Sequence, residues 1–107
     1  MKINWEKFEK YEKAWKLFTG QFDIFDSQIY CHCNLFEWFD EQEIYGTLIL
    51  TCGMNSEIYY KIQIKELLDG LLKYDHIIKS LAVTRSEAIQ ECYEKMFKIL
   101  EDKLRKH

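Results

Sequence analysis

Hydrophobic positions recur every three or four residues at both ends of this chain and every second residue in its middle. Near the N-terminus, Trp5, Phe8, Tyr11, Trp15 and Phe18 fall at helical spacing. This predicts one helix over residues 4–18, with Asn4 as its cap and Gly20 just past its end. Glu6–Lys10, Glu9–Lys13 and Glu12–Lys16 line its other side as Glu-first i,i+4 pairs. The aromatic stripe reads as a core-facing surface, with a partner groove or a dimer seam as the alternative. At the C-terminus, Thr84-Arg85-Ser86-Glu87 matches a capping box with Thr84 as N-cap. Ala88, Ile89, Cys92, Met96, Ile99, Leu100 and Leu104 continue an apolar stripe behind it. Lys103, Arg105 and Lys106 crowd the last turn, where cations complement the helix dipole.

Strands occupy the middle. Ile58, Tyr60, Ile62 and Ile64 alternate with Glu57, Tyr59, Lys61, Gln63 and Lys65, the pattern of a half-buried strand. Ile44–Cys52 is a second strand, and Gly53-Met54-Asn55-Ser56 suits a hairpin between the two. Ile29, Cys31, Cys33 and Leu35 alternate with more polar neighbours and suggest a strand before them. Over Asn34–Gln42 a helical turn fits as well, because Asn34 and Glu37 stand at capping spacing. Leu67, Leu68, Leu71 and Leu72 predict a short helix despite Gly70. His76–Val83 reads either as a fourth strand or as a continuation of that helix. The order α-β-β-β-α-(β)-α describes one α+β domain over 1–107. Its three- or four-stranded antiparallel sheet is packed by N- and C-terminal amphipathic helices.

A chain of 107 residues, 48% of them hydrophobic, can bury a core of its own and is not expected to be disordered. No basic stretch precedes a long apolar run, so neither a signal peptide nor a membrane span is expected, and the cytoplasm, or that of a host, is the expected location. Cys31, Cys33, Cys52 and Cys92 then read as reduced thiols. Cys31-His32-Cys33 would send its two thiols to one side of a strand and the imidazole to the other, and zinc sites usually show a second tight Cys pair. No metal or other cofactor is expected.

Charge is unevenly distributed along the chain. From Leu17 to Tyr60 there is no lysine or arginine, while Asp23, Asp26, Glu37, Asp40, Glu41, Glu43 and Glu57 all lie there. The formal charge of −3 is therefore a local deficit between two mildly basic ends. Such a field attracts cationic surfaces and repels phosphate backbones. The same span is rich in rings, and Phe36, Trp38 and Phe39 adjoin Glu37, Asp40, Glu41 and Glu43. Extended, those three rings cannot all point inward. Aromatic anchors ringed by charge mark protein-binding hot spots, and a local core under the first helix is the competing reading. Glu37, Trp38, Phe39, Asp40, Glu41, Glu43 and Glu57 are the candidate partner-binding residues. Asp40, Glu41 and Glu43 lack the ordered spacing of a known cation loop. Phosphate-binding loops, nucleophile elbows and HExxH patterns are missing, and enzyme activity is not expected.

The α-β-β-β-α order is similar to that of the double-stranded RNA-binding domain, at the level of topology. That family grips phosphates with lysines at the start of its last helix. It also reads the minor groove through its first strand-to-strand loop. Here the last helix opens Thr84-Arg85-Ser86-Glu87 and the candidate for that loop is Asp40-Glu41-Gln42-Glu43, so RNA binding does not carry over. In size, acidity and lack of an active site the chain resembles the small inhibitors that phages and mobile elements encode against host defences, anti-CRISPR proteins among them. That resemblance implies a non-enzymatic inhibitor or adaptor on a basic surface of a larger nucleic-acid-handling protein. A nucleic-acid-binding module using Lys61, Lys65, Lys73, Lys79 and Arg85 is the alternative. A structural homodimer, joined through the first helix or a sheet edge, is the other.

Overall fold

The computed structural model describes residues 3–21, 32–80 and 84–106. A single 3-10 turn (Trp5–Phe8) leads to α1 (Glu12–Gln21) and α2 (His32–Glu41). Three strands follow, β1 (Ile44–Cys52), β2 (Ile58–Leu68) and β3 (Leu71–Ser80), and then α3 (Arg85–Arg105). The strands form one antiparallel sheet in the order β1-β2-β3. The α+β class and the helices at both ends stand as the sequence predicts. No helix among the described residues is long and apolar enough to cross a membrane.

The expected helix over residues 4–18 is broken. In one continuous helix Trp5 and Phe18 would lie about 20 Å apart, at 1.5 Å per residue. Instead the chain turns after Phe8, and the Trp5 ring stacks on Phe18 at 5.7 Å with an interplanar angle of 8°. Asn4 makes no side-chain cap. Its backbone is held by Gln90 of α3, which accepts from Asn4 N–H at 2.9 Å and donates to Asn4 O at 3.1 Å. Gly20 then falls inside α1 rather than beyond it.

Two further expectations fail for local reasons. Leu67, Leu68, Leu71 and Leu72 suit one face of a helix, but the same spacing pairs them across a hairpin, Leu67 with Leu72 and Leu68 with Leu71. Asp69 and Gly70 take φ of 53° and 79°, the left-handed pair of a two-residue type I′ turn. Residues 76–80 of the fourth-strand alternative belong to β3, and 81–83 lie outside the described residues. His32, Cys33 and Leu35, read as strand, are helical in α2, while Ile29 and Cys31 lie outside the described residues.

α3 organises the rest. Thr84 accepts from Glu87 N–H at 3.2 Å, as its capping box predicts. Phe97 sits at the centre of the core, with Phe8 stacked on it at 4.5 Å and Phe39 edge-on at 5.0 Å. α3 also reaches the start of α1, beside that helix's own Glu12. The buried Glu101 accepts from Ala14 N–H at 2.8 Å through Oε1, and Arg105 Nε meets Oε2 at 2.7 Å as an ion pair. An anion is thus held at the positive end of α1 by another helix.

The helices cover one face of the sheet. Ile44, Ile62 and Ile64 are fully buried there. A Cβ at Gly46 would sit 2.6 Å from Met96 Sδ and 3.2 Å from Cys92 Sγ, so glycine lets α3 lie this close. Side chains alternate across a strand. Tyr45, Thr47, Ile49, Tyr59, Lys61 and Lys65 therefore take the opposite face.

Candidate functional site

A helix at 32–41 sorts the acidic, aromatic segment by its period. Leu35, Trp38 and Phe39 stand at i, i+3 and i+4 and are all buried, Trp38 being only 1% exposed. Its ring lies 5.0 Å from Phe18, 4.9 Å from Phe39 and 6.1 Å from Phe97. Phe36 is half-buried against Tyr93 at 4.8 Å. Trp38 and Phe39 are thus core residues and not contact residues, because the helical period turns inward rings that an extended chain would expose.

The same rotation sends Glu37, Asp40 and Glu41 outward, and all three are exposed. Asp40 and Glu37 are one turn apart. Partial burial, with the Glu37 charge adding to it, raises the Asp40 carboxyl above its ordinary value. Among the described residues these three acids make no ion pair. Helix α2 closes with Gln42 N–H donating to Phe39 O at 2.9 Å and Glu43 N–H to Asp40 O at 3.0 Å. Glu43 then adopts φ 63°, a left-handed conformation in which glycine is cheaper.

Lys103 is a neighbour of this surface that the sequence did not announce. Its Nζ donates to Gln42 O at 3.1 Å and lies 3.9 Å from Glu43 Oε2. α2 has no base in its own last turn, and this lysine from α3 supplies the cation that the helix end favours. Glu43 is in part neutralised as a result, although its side chain stays 52% exposed.

Glu57 does not belong to this surface. It precedes β2 in the β1–β2 loop, where its carboxylate accepts from Asn55 N–H at 3.0 Å. With about 3.3 Å per strand residue, the length of β1 puts roughly 30 Å between Glu57 and Glu43. Glu57 shapes its own turn, and the continuous acidic surface consists of Glu37, Asp40 and Glu41 with Glu43 at its edge.

The bases of the nucleic-acid alternative are also divided. Lys61 and Lys65 lie on the sheet face away from the helices, and Lys61 is in register with Lys79. Arg85 opens α3 in the helix layer, and Lys73 pairs with Glu66 in the ladder. Comparison of the chain with protein-family models, with curated proteins and with solved structures finds no match.

Proposed function

We propose that this protein is a non-enzymatic inhibitor or adaptor that docks the acidic end of α2 on a basic surface of a larger, nucleic-acid-handling protein. One observation carries the reading. Glu37, Asp40 and Glu41 share the outer face of α2, and no base among the described residues pairs with them. Like charges held one turn apart destabilise the free chain slightly and favour a cationic partner. Buried Trp38 and Phe39 hold α2 in place, and the contact itself is polar. Its first effect is on encounter rate and orientation rather than on raw affinity. In this respect the chain would act as the small phage-encoded inhibitors of host defence do.

The test is affinity capture with mass spectrometry. Wild-type chain is compared with a variant carrying Glu37→Gln, Asp40→Asn and Glu41→Gln. A partner retained by the wild type and lost by the variant supports the reading. A partner retained equally by both contradicts it.

A second reading has its own observation, the open sheet face with Lys61 and Lys65 beside Tyr59 and Tyr45. Aromatic rings interleaved with bases suit a nucleic-acid strand. Fluorescence anisotropy with duplex and single-stranded probes at physiological salt separates the two. Weak binding is expected, and tight, salt-sensitive binding would move the function to that face.

A further inference from the structure

The covered and bare halves of the sheet do not match its apolar side chains. On the helix-side face, Ile44, Gly46 and Leu48 of β1 lie under α2 and α3. Farther along the same face, the helices among the described residues stop. Leu50 is 57% exposed and Ile58, at the start of β2, is 67% exposed. The molecule measures 45 × 35 × 21 Å, and its radius of gyration of 14.3 Å exceeds the ~13 Å of a compact domain this size.

Among the described residues, β1 is also an unguarded edge. It is one of the two outer strands, and Ile44–Cys52 contains no charge and no proline. Natural sheets usually blunt an edge with lysine, proline, a bulge or an inward charge. Here β1 pairs with β2 without interruption over its whole length. The flanking hydrogen bonds set the phase of that ladder: Leu67 N–H donates to Glu43 O at 3.0 Å, and Gly53 N–H to Glu57 O at 2.7 Å. Odd-numbered positions of β1 therefore bond to β2. Ile44, Gly46, Leu48, Leu50 and Cys52 aim their N–H and C=O groups at the free edge.

We propose that two copies of this chain pair β1 against β1, antiparallel, about a two-fold axis at Leu48 and normal to the sheet. The result is one continuous six-stranded sheet. Leu48 then bonds with the second copy's Leu48, Leu50 with its Gly46, and Cys52 with its Ile44. All of these positions present edge-facing backbone groups. An axis normal to the sheet keeps both helix layers on the same side and reverses the strand direction. The covered half of each β1 thus lies beside the bare half of the other, and the second copy's helices flank the exposed Leu50. The charges also agree. Each chain carries −3, but the paired strands are neutral, and Glu43 of one copy falls level with Gly53 of the other rather than with an acid. An edge pairing of this extent lies near the low end of stable interfaces, about 1,200 Å² in total, so the dimer is concentration-dependent. It rests on the sheet edge and is independent of what the α2 acids bind.

Sedimentation velocity on the wild-type chain from sub-micromolar to hundreds of micromolar tests this, beside Leu50→Lys and Met54→Lys. Leu50 is already half exposed in one copy, so lysine there leaves the fold intact, which circular dichroism checks. The expected result is growth towards twice 13.1 kDa for the wild type and for Met54→Lys, whose side chain at the loop tip lies outside the pairing. Leu50→Lys should stay at the monomer mass across the range. A wild-type chain that is monomeric throughout overturns the proposal, and so does a dimer that survives Leu50→Lys. Hydrogen exchange on the unmodified chain asks the same question without a variant. Amides of Gly46, Leu48 and Leu50 should slow at least tenfold as the dimer forms, and exchange that is fast at every concentration overturns the proposal.

Discussion

Trp38→Ala separates a core role from a surface role in the segment that holds the acids. The ring is 1% exposed and meets three others within 6.1 Å. Truncating a buried tryptophan costs about 3–5 kcal/mol, through lost transfer energy and the cavity left behind. The lost edge-to-face contacts with Phe18 and Phe39 place this site at the upper end of that range. A domain this size has roughly 5–15 kcal/mol in total and loses about 4–5 °C of Tm per kcal/mol. The expected fall is therefore roughly 15–25 °C, read by thermal unfolding in far-UV circular dichroism and cross-checked by the urea midpoint. Trp38→Phe keeps a ring in the cluster and should lose less than half as much. An unchanged Tm for Trp38→Ala together with lost partner binding would refute the burial and return Trp38 to the surface.

Glu43→Gly should stabilise the fold by about 0.5–1 kcal/mol in urea titration, because relief at φ 63° outweighs a half-exposed 3.9 Å ion pair with Lys103; a loss of stability would show that the pair dominates. Glu101→Gln keeps a carbonyl oxygen for Ala14 N–H but removes the charge at the α1 terminus and the Arg105 partner, so it should cost about 1–2 kcal/mol, and Glu101→Ala about 2–4. Burial, with Glu91 adding to it, pushes the Cys92 thiol up to about 12. Iodoacetamide at pH 8 should therefore label the exposed Cys52 in the native chain and leave Cys92 unmodified until urea unfolds it, as peptide mass mapping would show.

What the sequence made legible was local. Thr84 and Glu87 announce α3 because both halves of the capping box lie within one turn. The alternation of Ile58, Tyr60, Ile62 and Ile64 announces β2 in the same way. What it hid was tertiary. The stacking of Trp5 on Phe18 breaks the first helix, and no periodicity within residues 4–18 encodes that contact. The leucines around Asp69-Gly70 satisfy helical and hairpin geometry alike, and the turn dipeptide was the better guide. The site depended on a single choice of period. Read as strand, residues 34–42 expose their rings; as helix they bury Trp38 and Phe39 and leave the carboxylates outside. Lys103 and Glu101 reach α2 and α1 from α3, and only the packed fold reveals either contact.

Electrostatic docking through α2 predicts a particular kinetic behaviour towards the captured partner. Its association rate constant should be followed by stopped flow from about 50 to 500 mM salt, a range in which the Debye length shrinks from roughly 14 to 4 Å. For the wild-type chain the rate should fall by tenfold or more, while for the Glu37→Gln, Asp40→Asn, Glu41→Gln variant it should be lower at the outset and nearly flat. A wild-type rate indifferent to salt, or one whose salt dependence the variant shares in full, would contradict a contact made by the α2 acids.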